Sequence, residues 1–289
     1  MTEGILNTVK DLLHSAFDSF DTMAMQACDV LTGNTVTSMW WYVTYFFRGT
    51  FVLFCNIIIG ICMLIELSKI FSKVDVLKWE HGLKVGVKVV LAKVCVDQAP
   101  DFLKACYRQC TNFITHMKNG GYGTDIDISD ICADVIDPYI DGVSGLGNAI
   151  GLLVSVLLLQ IGIKICGVLV AVMAYGRIFE ILVYVIISPI PCAFLPLGEG
   201  DNLSRIPMKF FKNYIAVCLQ GVMMYVCIKL FGSLLLNSFQ TKVNGTLSSG
   251  VSNSVMVSDL CYDMLLFTIV LVMSITKCSS WAKSIMDAG

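Results

Sequence analysis

The sequence predicts an all-α, polytopic helical membrane protein with five crossings and one proline-broken segment that forms a re-entrant loop or elbow. Apolar residues make up 56% of the 289 residues and charged residues 15%, whereas an ordinary soluble domain has a charged fraction of about a quarter. The mean hydropathy is +0.75. Four apolar runs approach or exceed the roughly 20 residues that span the hydrocarbon core of a bilayer.

The first segment, residues 1–38, is predicted to be extracytoplasmic and to begin with an amphipathic helix. Residues 1–24 carry an apolar stripe at helical spacing, formed by Ile5, Val9, Leu12, Leu13, Ala16, Phe17 and Phe20. The opposite face is acidic, which favours packing on a partner subunit or on the protein's own outer surface over binding to anionic lipid. Residues 1–30 also lack the positively charged start and apolar core of a cleavable signal peptide.

Residues 39–97 hold the first two membrane segments and a basic cytoplasmic loop between them. The first run covers residues 50–67 and follows a cluster of interfacial aromatic residues, Trp40, Trp41, Tyr42, Tyr45, Phe46 and Phe47. The second segment, residues 82–96, carries three lysines, each costing about 2.5–3.5 kcal/mol at the centre of a lipid-facing helix. Lys93 can pair with Asp97 four residues later. Lys84 and Lys88 share another face, which is either solvated on the inner side or able to attract an anion.

Residues 149–289 form the C-terminal membrane bundle. Its apolar runs cover residues 149–175, 214–235 and 260–276. Residues 178–197 contain Pro189, Pro191 and Pro196, which remove backbone donors and break a helix. Such a segment is tolerated at membrane depth only where protein or water covers its backbone, so a re-entrant or elbow segment is expected at residues 178–197.

The distribution of lysine and arginine favours five crossings, with the N-terminus outside and the C-terminus inside. If residues 82–96 cross and residues 178–197 turn back, ten of these cations lie inside and six outside, as the positive-inside rule requires. If both segments cross, the bias reverses. A second order, in which residues 82–96 lie flat and residues 178–197 cross, agrees with the rule at least as well and places residues 98–148 inside.

Residues 98–148 are predicted to form an acidic extracytoplasmic loop containing a short acidic helix. The run at residues 125–136 resembles a calcium loop, but it lacks the turn glycine and the glutamate at the twelfth position. Cys106, Cys110 and Cys132 could form an outer disulfide, and free thiols are equally compatible with their spacing. The three histidines are scattered, so no metal site is expected.

Ionisable residues inside spanning helices are the candidates for a functional site. Lys164 lies near the middle of its run and Gln160 lies one turn away, which predicts a bundle-interior or pore-facing position for both. A structural hydrogen-bond anchor is the alternative for Lys164. Lys229 and Asp263 fall at similar depths of two successive runs and are predicted to form a structural ion pair. The lysines at 84 and 88 complete the set of candidates.

Nothing in the sequence predicts an enzyme or a cofactor site. The motifs of hydrolase nucleophiles, nucleotide-phosphate loops, helical zinc sites and dinucleotide folds do not occur in the sequence. A net charge of -2 also argues against a general nucleic-acid-binding surface.

Residues 177–221 resemble a known family. The carriers of the resemblance are Arg177-Ile-Phe-Glu180, Ser188-Pro-Ile-Pro-Cys-Ala, Gly198-Glu-Gly, Ser204-Arg205 and the run Asn213 to Gly221. They are similar to the TrbL-like polytopic inner-membrane subunit of type IV secretion systems, in the versions carried by conjugative elements of Gram-positive bacteria. A weaker similarity covers most of the chain.

The resemblance implies a multi-pass subunit of the cell membrane with an outer N-terminus, five crossings, an outer loop after the second and a cytoplasmic C-terminus. It also implies a homo-oligomer that contacts other type IV secretion subunits, including cytoplasmic ATPases, and transiently contacts the translocated DNA or protein. A scaffold that anchors other subunits is one alternative. A small secondary transporter with its site at the proline-broken segment is another, although transporters usually contain repeated halves and the sequence has no internal repeat.

Overall fold

The computed structural model describes residues 2–73, 79–119, 136–143, 145–197, 205–246 and 253–287. Every regular element in these ranges is a helix, which confirms the all-α class. The helices are α1 (Thr2–Leu31), α2 (Asn34–Lys73), α3 (Trp79–Asn119), α4 (Asp137–Asp141), α5 (Leu146–Ile187), α6 (Pro189–Cys192), α7 (Ile206–Thr246) and α8 (Asn253–Asp287).

Four helical stretches are long and apolar enough to cross a membrane: Phe51–Lys69, Leu146–Cys192, Ile206–Leu235 and Asn253–Met286. They confirm the predicted helical membrane class. Helix α3 has 41 residues, but its lysines and polar C-terminal half keep it out of this group. The number of crossings and the orientation of the chain stay predictions.

The chain forms two compact units. Unit 1 comprises Met1–Thr32, Ile114–Gly176 and Val222–Cys278. Unit 2 comprises Gly33–Phe113, Arg177–Gly221 and Ser279–Gly289. Helices α3, α5, α7 and α8 therefore each contribute residues to both units.

Unit 1 is built around the apolar face of α1 and the first part of α5. The predicted stripe of α1 is buried at Val9, Leu13, Ala16, Phe17 and Phe20. The ring of Phe20 lies 5.4 Å from that of Phe231 in α7. Two glycines of α5 permit close approach of its neighbours, because a Cβ at Gly162 would meet Leu265 and one at Gly167 would meet Met23. The amphipathic N-terminal helix thus packs on its own chain.

Two polar contacts attach α1 to the short acidic helix α4. Lys10 pairs with Asp141 at 2.7 Å, and Nε2 of His14 lies 3.2 Å from a carboxylate oxygen of Asp137. The acidic helix predicted within residues 119–148 is therefore present and packed. The calcium-like run and Cys132 fall almost entirely outside the described residues.

Unit 2 contains the α2–α3 hairpin. Its core joins Cys55 and Ile59 of α2 to Ala92, Val96 and Ala99 of α3. Residues 98–119 were predicted to lie in a loop, but they continue α3 through Pro100. A proline within a helix removes one hydrogen bond, and the buried stripe at Val96, Ala99, Leu103, Tyr107 and Thr111 keeps the helical spacing on both sides of it. Tertiary packing of that stripe accounts for the continuation.

The interruption of the helix lies at the first of the three prolines. Residues 178–187 continue α5, which has 42 residues, and the chain turns at Ser188, where α6 begins with Pro189. Only the second half of the predicted segment 178–197 is an elbow. Residues 149–187 form one helix, whereas the second order treats residues 149–175 and 178–197 as separate crossings; the crossing order stays a prediction.

One contact inside unit 2 bears on the five-crossing order that the sequence favours, which stays a prediction. That order places Phe102 outside and Phe211 inside, on opposite sides of a hydrocarbon core about 30 Å thick. Their ring centroids lie 5.9 Å apart. Phe102 of α3 and Phe211 of α7 therefore lie at one depth. Charge counting missed this because it considers each loop separately and carries no information on contacts between helices.

Candidate functional site: polar residues of the membrane helices

The α2–α3 hairpin contains a group of paired polar side chains. Nζ of Lys93 donates to Oδ1 of Asn56 at 2.9 Å and to Oδ1 of Asp97 at 3.0 Å. Nζ of Lys88 lies 3.5 Å from Oε1 of Glu66. The predicted pairing of Lys93 with Asp97 is present, and the two contacts to α2 add interhelical partners.

These pairs lower the cost of placing lysines in an apolar segment, because each ammonium group faces a carboxylate or an amide oxygen. Glu66 is the most enclosed member, with a side chain 13% exposed. The sequence predicts that Lys84 and Lys88 share one face, which is either solvated or able to attract an anion. The structure separates them: Lys88 has a carboxylate partner, while Lys84 is exposed on α3.

The elbow at α6 packs directly on this hairpin. Cys192 and Ala193 belong to the same core as Cys55, Ile59 and the small residues of α3. Pro189, Pro191 and Pro196 are all buried. The hydroxyl of Ser188 donates to the carbonyl of Val185 at 2.8 Å. Protein therefore covers the broken backbone, as the sequence analysis required for such a segment at membrane depth.

Lys164 lies on the outer face of α5. The buried face of this part of the helix carries Val156, Leu159, Ile163 and Val170, whereas Lys164 is exposed and Gln160 is half-buried. The residues around Lys164 on the exposed face are apolar; they include Leu157, Ile161, Ile165 and Val168. Lys164 consequently lies outside the core of its own chain, and the bundle-interior or pore-facing position that the sequence predicts stays a prediction.

The predicted ion pair between Lys229 and Asp263 stays a prediction. The structure pairs the Asp263 carboxylate with Lys242, which lies about three and a half turns of α7 beyond Lys229. This partner was not predicted from the sequence, because Lys242 lies between the apolar runs 214–235 and 260–276. In the structure, α7 continues to Thr246 and carries Lys242 on a helix.

Two cysteines of the predicted outer loop lie on α3 and are free thiols. Burial raises the pKa of Cys106. Among the described residues no group of three or more histidine, cysteine or acidic side chains could hold a metal ion.

Sequence analysis missed the interhelical partners Asn56 and Glu66. Both are polar residues within or at the end of an otherwise apolar run of α2. Aligning α2 and α3 antiparallel, and pairing each polar residue of α2 with a lysine of α3, would have suggested these contacts. Spacing within one helix cannot do so, because it contains no information on the partner helix.

Residues 49–189 match the family model described as TrbL/VirB6 plasmid conjugal transfer like protein. The matched range begins just before the first candidate membrane stretch and ends at the first residue of the elbow. No curated protein and no solved structure matches the chain. The match confirms the predicted TrbL-like resemblance.

Proposed function

We propose, taking the TrbL/VirB6-like character of residues 49–189 as the premise, that the chain is a channel or scaffold subunit of a type IV secretion apparatus. Its function is to help DNA or protein pass across the cell membrane during conjugative transfer. The match over residues 49–189 supports the statement that the chain is a component of a conjugal transfer apparatus. The passage role rests on one observation from the structure, the position of Lys164.

Lys164 is a cation on the apolar, exposed face of a helix that is long enough to span the membrane. A lysine near the centre of a lipid-facing helix costs about 2.5–3.5 kcal/mol. The chain's own bundle lies on the other face of α5, so shelter has to come from a neighbouring molecule or from water. Several copies packed through this face would provide both a neighbouring molecule and water. Lys164 and Gln160 would then lie at the boundary of a hydrated passage.

The chain would work with separate motor proteins in this assembly. Its sequence has no nucleotide-phosphate loop, so energy would come from cytoplasmic ATPases of the same apparatus. The chain itself would be non-enzymatic. Other secretion subunits and further copies of the chain are the expected partners, and the translocated DNA or protein would be a transient one.

Replacing Lys164 by leucine tests the passage role. We expect the Lys164→Leu variant to insert at the normal level but to transfer DNA at a severalfold lower frequency in a mating assay. Lys283→Leu is the matched control, because Lys283 is also exposed but lies in the last turns of α8. Normal transfer by Lys164→Leu would remove Lys164 as a passage residue.

The oligomeric state tests the same proposal independently. Extraction in mild detergent should yield a homo-oligomer of the chain, and Lys164→Leu should alter its stability. A stable monomer that is held in the apparatus only by other subunits would favour the scaffold alternative. The structure favours a transporter less. Transporters usually have matching broken helices in two halves, whereas the described residues contain a single proline-broken segment, at α6.

The side of the membrane on which α3 and α7 meet can be measured in the same cells. Cysteines introduced at Gln109 and Lys209, both exposed, should label from one side with an impermeant thiol reagent. The ring contact between Phe102 and Phe211 requires this result. Labelling of the two positions from opposite sides would contradict the contact.

A further inference from the structure

Helices α7 and α8 contact each other within unit 1, and two side-chain contacts define their register. Lys242 of α7 pairs with Asp263 of α8. Sγ of Cys227 in α7 lies 3.7 Å from Sγ of Cys278 in α8. In each helix the second contact lies fifteen residues from the first, in opposite directions along the chain. Both contacts therefore fit one antiparallel register, and they lie about 22 Å apart along the helix axes.

The sulfur contact is close to the geometry of a disulfide. A disulfide bond is about 2.05 Å long, so the sulfurs of Cys227 and Cys278 need to approach each other by about 1.7 Å. Small rotations about the two Cα–Cβ bonds cover a change of this size, because the register already places the two residues side by side. Both cysteines are free thiols in the structure.

The hydrogen bonds of Cys278 direct its sulfur toward Cys227. The Cys278 thiol donates to the carbonyl oxygen of Ser274 at 3.3 Å. A thiol carries a single proton, so Cys227 is the donor in the sulfur contact and the Cys278 sulfur is the acceptor. A lone pair of the Cys278 sulfur therefore faces Cys227, which is the arrangement that attack on the Cys227 sulfur requires.

The pair lies near one end of the apolar part of α8. The apolar run of that helix ends at Thr276, and the exposed Lys277 follows it. The ammonium group of such a lysine favours the boundary between membrane and water. Cys227 is half-buried, while Cys278 is fully buried. A small uncharged oxidant that enters at this boundary therefore reaches Cys227 first.

We propose that Cys227 and Cys278 form a peroxide-sensitive modification site, in which oxidation produces an intramolecular disulfide between α7 and α8. The Cys227 thiol loses its proton, and its sulfur attacks one oxygen of hydrogen peroxide and breaks the O–O bond. The released hydroxide takes up that proton as water, and Cys227 is left as a sulfenic acid. The Cys278 sulfur then attacks the sulfenic sulfur, and the hydroxyl group leaves with the Cys278 proton as a second water. The two thiols lose two electrons in total, which reduce the peroxide.

The disulfide would add a covalent link to the helix pair on which α1 packs. Phe231 lies one turn after Cys227 on α7, and its ring lies 5.4 Å from that of Phe20 in α1. Oxidation would therefore hold in place part of the surface that receives the N-terminal helix. This inference is independent of the passage proposal, because it concerns contacts within one unit of a single chain.

The experiment treats the full-length protein in native membranes with hydrogen peroxide, then blocks the remaining thiols and digests the protein with trypsin. Cleavage after lysine releases Cys278 within residues 278–283 and Cys227 within residues 213–229, which also contain Cys218. Mass spectrometry should detect these two peptides linked through Cys227 and Cys278, and a reducing agent should separate them.

Three variants locate the reaction. Cys218→Ser is the matched control, because Cys218 is in the same tryptic peptide as Cys227, and it should give the linked product. Cys278→Ser removes the attacking thiol, so dimedone, which traps sulfenic acids, should label Cys227 severalfold more in this variant than in the unsubstituted protein. Peroxide should also slow the proteolysis of α1 severalfold in the unsubstituted protein and leave it unchanged in Cys227→Ser.

Three results would overturn the proposal. Cys227 that carries neither a disulfide in the unsubstituted protein nor dimedone in Cys278→Ser would mean that peroxide does not react there. Linkage of Cys278 to Cys218 in place of Cys227 would contradict the register that Lys242 and Asp263 define. A linked peptide without any change in the proteolysis of α1 would refute the proposed effect on the packing of that helix.

Discussion

Replacing Tyr214 by phenylalanine removes one hydrogen bond from the buried seam between α7 and α3 and leaves the ring in place. Its hydroxyl donates to the carbonyl oxygen of Leu103 at 2.7 Å, and neither residue is exposed to solvent. A buried hydrogen bond contributes a net stabilisation of about 0.5–1.5 kcal/mol. The Tyr214→Phe variant should therefore lose about that free energy of unfolding, which corresponds to a roughly 2- to 13-fold change in the folding equilibrium.

Tyr107 provides a matched control on the partner helix. It is 7% exposed, and its buried hydroxyl has no hydrogen-bond partner among the described residues. Because a buried hydroxyl without a partner contributes no compensating bond, Tyr107→Phe should leave the stability unchanged or slightly increase it. Thermal unfolding in detergent, followed by near-ultraviolet circular dichroism, measures both variants. Equal losses in the two variants would refute the assignment of the effect to the hydrogen bond.

Two further substitutions test packing and charge. Gly167→Val should loosen α1, because a Cβ at Gly167 meets Met23 and overpacking costs about 1–3 kcal/mol; faster proteolysis of α1, partly restored by Met23→Ala, is the expected result. Lys88→Met should lower the thermal midpoint more than Lys84→Met, because it leaves the carboxylate of Glu66 without its cation. Equal midpoints would mean that the ion pair does not stabilise the hairpin.

The helical membrane class could be predicted from the sequence because it depends on composition and on run length. The buried stripe of α1 was also predictable: five of its seven expected positions are buried, and Ile5 and Leu12 are half-buried. Helical periodicity alone determines which of these side chains share a face. Each of these features is local to one segment.

The features that were not predicted depend on packing between residues that are distant in the sequence. Residues 98–119 were assigned to a loop because they are polar, yet Leu103 and Tyr107 continue the buried stripe of α3. The central position of Lys164 in an apolar run predicts a bundle-interior or pore-facing side chain, whereas the face of α5 that packs within the chain is the one carrying Leu159 and Ile163. Depth along a helix and rotation about its axis are separate quantities, and only the first can be read from a hydropathy run.

The composition of the elbow has a consequence for its insertion. Three of the residues between 189 and 196 are prolines, so this segment presents three fewer amide protons to its surroundings. The amide groups of Ala193, Phe194 and Leu195 bond to carbonyl groups three or four residues earlier within the same turn. This segment can therefore move from water into the membrane with few unsatisfied hydrogen-bond donors, before it packs on a neighbouring helix.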